Sequence, residues 1–187
     1  TGPDDDTLQS ATKANGFLIC DPDSANNAVY GQPSGTTYQY LSSYFTTSAI
    51  DLSGYPAVFL QFEHLYRFNN GIDLIVGVSA DGTNWTNYTV QGNTPNNTQS
   101  ANAESVKLNI SAVAGNQSAV YIRIGWSARV YYWMIDDIRI VEAPGNDLTV
   151  TMEQHYPFYK MTPVRQTTGI KFTGAIANNG GNTQTNV

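Results

Sequence analysis

Two carboxylates, Asp136 and Asp137, stand side by side in "YYWMIDDIRIV" (Tyr131 to Val141), a run otherwise apolar enough for a protein interior. A second oxygen-rich stretch, "DPDSANN", carries Asp21, Asp23, Asn26 and Asn27. Hard oxygen donors of this kind are what Ca²⁺ takes, about six to eight at a time. Acid–base chemistry is poorly served by comparison. The chain has two histidines, His64 and His155, and neither completes an H-E-x-x-H zinc motif; no G-x-S-x-G nucleophile elbow occurs. Glu63 and His64 are neighbours in an alternating segment, so they point to opposite faces and cannot act as one unit. Asp136 and Asp137 are expected to diverge across their sheet for the same reason, whereas a glycosidase needs two carboxyl groups flanking one sugar. No residue set reads as catalytic, and the chain is read as a non-enzyme. Cys20, within "GFLIC", reads as a small core residue.

The elements that must position these groups are strands. Charged residues make up 13% of the 187, about half the usual share, while 16 glycines and 12 tyrosines supply turn and strand material. No long window carries the apolar stripe of an amphipathic helix. "FLIC" (Phe17 to Cys20) is the first strand candidate, and "DPDSANN" after it reads as a turn set by Pro22. "YQYLSSYF", "AVFLQFEHLYRF", "IDLIVGVSA", "NWTNYTV", "SVKLNI", "AVYIRIGW" and "VYYWMIDDIRIV" continue the series. Asp81-Gly82 marks a hairpin, since Gly takes positive φ at no steric cost. Seven or eight such strands predict an all-β fold, an antiparallel two-sheet sandwich over residues 1–142. At "APGND" the pattern breaks, and residues 143–187 read as a linker and the first part of a second β domain.

In the last strand of the sandwich the set Tyr132, Met134, Asp136, Ile138, Ile140 is the more apolar, so Asp136 is expected to point inward. A buried carboxylate needs company. It could accept hydrogen bonds from the amides or a tyrosine hydroxyl of a neighbouring loop, pair with Arg123 or Arg129, or bind Ca²⁺ with ligands from elsewhere, the richest source being Asp21 and Asp23. Asp137, beside Arg139, reads as a solvated or ion-paired group.

Net charge is −6 with a pI near 4.6, and nine Lys and Arg are scattered without a basic cluster, which argues against a nucleic-acid partner. With neither a signal peptide nor an apolar stretch of about 18 residues, the chain reads as a mature piece without membrane insertion. Among its aromatics, Trp126 and Trp133 are expected in the core, and Trp85, just past the hairpin tip, is the candidate ligand-binding ring.

"YYWMIDDIRIVEAPGNDL", together with "NGFLICD", "IDLSGYPAVFLQFEHLYRF", "VGVSADGTNWTNYTV" and "VYIRIGW", resembles the jelly-roll modules of MAM-like, cleaved-adhesin and choice-of-anchor type in secreted Bacteroidetes proteins. The resemblance spans most of residues 15 to 148. It implies a jelly roll whose last strand pairs near the first, with a structural Ca²⁺ held by acidic residues of those segments. Only Asp136 and Asp137 match a motif of that family, and Asp21 and Asp23 are added on chemical grounds. The tail "NDLTV…FTGAIANNGG" resembles the start of an Ig-like domain. A non-catalytic adhesion or spacer module of a large secreted or cell-surface bacterial protein, of the kind exported by type IX secretion, is the function so implied. The alternative is a carbohydrate-binding module of the kind attached to secreted hydrolases or proteases. Partners would be a glycan or a surface protein, and neighbouring domains of the same polypeptide.

Overall fold

The computed structural model of the protein describes residues 7–30, 38–152 and 174–185; His155 lies outside them. The chain divides into two compact units, 1–142 and 143–187, at the place where Pro144 and Gly145 interrupt the strand pattern. In the first unit the elements run β1 (Leu18–Cys20), α1 (Pro22–Tyr30), β2 (Leu41–Thr46), β3 (Val58–Tyr66), β4 (Asp73–Ser79), β5 (Thr86–Thr89), β6 (Glu104–Asn109), α2 (Ser111–Ala114), β7 (Tyr121–Ala128) and β8 (Trp133–Glu142). Two four-stranded antiparallel sheets result, ordered β1-β8-β3-β6 and β2-β7-β4-β5.

The sheets form a sandwich because alternate residues of each strand are apolar and meet in one core. Leu60, Phe62 and Tyr66 from β3, with Trp133 and Ile135 from β8, face Leu74, Val76 and Val78 from β4 and Ile122, Ile124 and Trp126 from β7. Trp126 and Trp133 are both 1% exposed, with ring centroids 6.2 Å apart, and fill the middle as the sequence predicts. A smaller second core lies on the opposite side of the first sheet. There Leu8 covers Leu65, Tyr132 and Met134.

Two local expectations are corrected. "DPDSANN" is not a turn but the start of α1: Asp21 sits at the N-cap, its Oδ1 accepting from the Ser24 amide at 2.8 Å, and Pro22 takes the first helical position, where its missing N–H costs nothing. The same residue types serve turns and helix starts, and nine residues are too few to show an apolar stripe. In β8 the inward face is Trp133 and Ile135, not Tyr132, Met134 and Asp136: Leu8 covers Tyr132 and Met134 in the separate smaller core, and Asp136 stays partly exposed beside it.

The second unit contains β9 (Leu148–Met152) and β10 (Gly174–Asn178), paired antiparallel from Gly174 opposite Met152 to Asn178 opposite Leu148. Among the described residues no helix is long and apolar enough to cross a membrane.

Candidate functional site

Asp136 and Asp137 do not diverge. The pairing of β3 with β8 shifts register between Gln61 and Glu63, so that Asp137 and Ile138 together oppose Phe62, and Asp137 takes φ of +53°. This is a β-bulge, and it breaks the strict alternation of faces. Both carboxylates then reach one hydroxyl: Thr12 Oγ1 donates to Asp137 Oδ1 at 2.8 Å and lies 3.3 Å from Asp136 Oδ2. Ser10 Oγ donates to Asp136 Oδ2 at 2.6 Å, the Thr12 amide to Asp137 Oδ2 at 3.4 Å, and the Ala11 amide to Oε2 of Glu63, the residue opposite Asp136, at 3.0 Å. Three like charges thus hold down one short segment through its hydroxyls and amides. The Ser10 hydroxyl, foremost, keeps the Asp136 carboxyl below the ordinary carboxylate range.

Of the three partners considered for Asp136, donors from a neighbouring segment are the ones observed, though from Ser and Thr rather than Tyr. Arg123 and Arg129 are elsewhere, and Arg139 donates to Gln61 Oε1 at 3.0 Å instead of meeting Asp137. Asp21 and Asp23 are not brought to the pair. The β1–β8 ladder runs from Leu18 opposite Ile135 to Cys20 opposite Trp133, which puts Asp21 beyond the Trp133 end and Asp136 beyond the other, roughly 10 Å or more apart along the strand. Burial holds the Asp23 carboxyl above its ordinary range. The oxygens at the bulge suit Ca²⁺ in kind, but they already have donors, and among the described residues no group of three or more His, Cys, Asp or Glu is placed to hold a metal ion.

His64 is fully buried on the inner face. The Trp133 indole can only donate, and does so to His64 Nδ1 at 3.2 Å, so the neutral ring carries its proton on Nε2, 3.5 Å from Glu104 Oε2. Burial lowers its pKa from 6.5 to about 4; Glu104, one-third exposed, does not offset that. Glu63 faces the other way, as the alternation requires. Cys20 is a free thiol, half-buried against the core, with its pKa raised by that burial.

Trp85 belongs to a different surface, the outer face of the second sheet. Its loop is fixed by Asp81, which accepts from Ser79 Oγ at 2.9 Å, from the Thr83 and Asn84 amides at 2.8 and 2.7 Å, and from Asn84 Nδ2 at 2.7 Å, while Gly82 takes φ of +73°. Those bonds, led by the Asn84 side chain, depress the Asp81 carboxyl far below its ordinary range. Beyond the loop, β5 pairs with β4 in the expected hairpin. Register places Thr46, Arg123, Gly77 and Asn87 in one row across the sheet and Tyr44, Gly125, Ile75 and Thr89 in the next, all on the outer face.

Arg123 is the centre of that face. Its guanidinium carbon lies 3.8 Å from the Trp85 ring centroid and 4.8 Å from that of Tyr44. The two glycines leave room for the rings: a Cβ on Gly77 would come within 3.1 Å of Trp85, and one on Gly125 within 2.8 Å of Tyr44 Cβ. Beside this group is an open depression of about 330 Å³ lined by Asp73, Ile75, Asn87, Thr89 and Gln91 among others. The face therefore combines aromatic rings with short polar side chains, which stack on and hydrogen-bond to polyhydroxylated ligands. Trp85 alone was legible in the sequence. Arg123 and Tyr44 were missed, because only the pairing of β2 with β7 brings them together; the alternation of "VYIRIGW", which puts Arg123 opposite the inward isoleucines, was the available signal. No protein-family model matches the chain, and no curated protein matches it.

Proposed function

We propose that the chain is a non-catalytic adhesion module of a larger secreted or cell-surface protein, and that it adheres by binding glycan on the outer face of its second sheet. The observation that carries this reading is the Tyr44–Arg123–Trp85 group set on a glycine floor and bordered by Asn87, Thr89 and Gln91. Its rings and amides are the chemistry that sugar recognition uses. Tyr44 is 67% exposed, so the ring spends little of its area on folding. The only histidine among the described residues packs against three aromatic rings instead of meeting solvent. The resemblance to jelly-roll adhesin modules favours the same function, with the second unit as the start of an Ig-like neighbour.

Calcium enters this reading only at the Asp136–Asp137 pair, with backbone or solvent oxygens completing its shell, and no longer through Asp21 or Asp23. There it would hold the segment Ser10 to Thr12 against β8, the task that hydrogen bonds already perform. Melting of chelator-stripped protein with and without millimolar Ca²⁺ tests it: an unchanged midpoint removes calcium and leaves the adhesion reading intact. The adhesion reading itself is tested by presenting the full 187-residue chain to an array of plant, bacterial and animal glycans. Binding that is lost in Tyr44→Ala supports it. Silence across the array overturns it and leaves a folded spacer.

A further inference from the structure

The outer face of the second sheet contains a cation without an anion. Arg123 is partly buried, its Nε is shut off from solvent with no partner, and among the described residues no hydrogen bond or ion pair reaches any of its nitrogens. Its contacts are the two rings. In a chain of net charge −6, with 15 acidic residues available, an arginine left this way has not been placed for an internal ion pair. The nearest acid on the same face in β4 is Asp73, four residues from Gly77, roughly 13 Å along the strand, beyond a Debye length at physiological salt.

Resting on the glycan reading above, we infer that the glycan is acidic, and that Arg123 takes the carboxylate of a uronic or sialic acid residue whose ring and hydroxyls meet Tyr44, Asn87 and Thr89. Stacking between rings fixes the plane of the guanidinium before any ligand arrives, so little side-chain entropy remains to be lost. A planar fork held in one orientation matches a carboxylate through two parallel hydrogen bonds, which a lysine could not do. The two small residues in the adjoining positions, Gly77 and Gly125, keep Cβ atoms from crowding the approach to it. A nucleic-acid backbone offers the same charge but requires several cations in line, and the next arginine on this side, Arg129 over Tyr40, is six residues on, roughly 20 Å along the strand.

The full chain is titrated with four probes: polygalacturonate, its fully methyl-esterified form, sialyllactose and lactose. Methyl esterification removes the charge and keeps the sugar, and the two acidic probes separate a uronate from a sialate source. The expected result is that one acidic probe binds at least about tenfold more tightly than its uncharged counterpart, a typical gain for a charge-assisted hydrogen bond. Raising salt from about 50 mM to about 0.5 M should narrow that gap, because the charged contact lies at the surface. Arg123→Gln should abolish the preference, and Arg123→Lys should restore only part of it. If Arg123→Gln does not fold, the salt titration of the unaltered chain and Arg123→Lys decide. Equal binding of acidic and uncharged probes overturns the inference while the glycan reading stands; no binding of any probe or of any array glycan overturns both.

Discussion

On the outer face of the first sheet, Leu8 covers Leu65, Tyr132 and Met134, and each of the carboxylates Glu63, Asp136 and Asp137 receives a donor from Ser10 to Thr12. On the outer face of the second, Tyr44 stands in solvent and Arg123 has rings for neighbours and, among the described residues, no acid paired with it. Both faces began as the outward half of alternating strands. The chain spent its own segment on closing one, and left the other with a charge, two aromatics and a row of amides. A closed face serves stability, and an open face with unspent hydrogen-bonding capacity serves binding. The asymmetry is therefore a statement about which substitutions should cost folding and which should cost only recognition.

The sharpest way to break the comparison is Leu8→Ala. Leu8 is fully buried, so truncation leaves a cavity over Tyr132 and Met134 and should cost about 2–5 kcal/mol. Chemical denaturation reads it directly. A change under about 0.5 kcal/mol would mean that the segment is a loose strap and that the first sheet is as open as the second.

Acid sharpens it next, through His64, which belongs to the core side of the first sheet. Its folded pKa is lowered to about 4 from 6.5. The unfolded chain therefore takes up the proton first as pH falls, and stability that is constant above about pH 7 declines through the window from 6.5 to 4, by roughly 3 kcal/mol in all. Denaturation midpoints across that range should fall monotonically in the wild type, and His64→Gln should flatten the slope. Below that window, Asp81 and Asp136, both depressed, give up their own contribution as they protonate. A wild-type profile level from pH 7 to 4 would place His64 in contact with water.

Much of this architecture was readable from alternation alone. Val120, Ile122, Ile124 and Trp126 point inward where the pattern of "AVYIRIGW" puts them, and Asp81-Gly82 turns the hairpin that delivers Trp85. The reading failed where alternation fails. Asp137 at positive φ shifts the register of β8 by one residue, and nothing in "MIDDIRI" marks a bulge, since Asp is merely more tolerant of that conformation than its neighbours. Asp21 was legible as an oxygen donor but not as a helix cap, because the helix it starts is nine residues long and buries Pro22, Asp23 and Asn26 instead of an apolar stripe. The Arg123 group was hidden for a third reason. Tyr44 and Arg123 come from strands and Trp85 from the loop before β5, about 40 residues apart each way, and only the sheet order β2-β7-β4-β5 makes them neighbours.

Tyr44→Ala is the smallest expected effect on folding and the one that tests the open face most directly. The ring touches Arg123 at 4.8 Å across an exposed surface, and its removal forfeits one cation–π contact, less than about 1 kcal/mol. Leu8→Ala and Tyr44→Ala would then differ several-fold in stability although both residues sit on outer faces. Binding should reverse that order. A ring that stacks on a sugar contributes through contact area that folding did not use, so Tyr44→Ala should weaken glycan binding about tenfold or more while leaving the denaturation midpoint nearly unmoved. If instead the midpoint drops as far as it does for Leu8→Ala, the ring is part of the fold's own packing, Arg123 is stacked for stability alone, and the second face is as closed as the first.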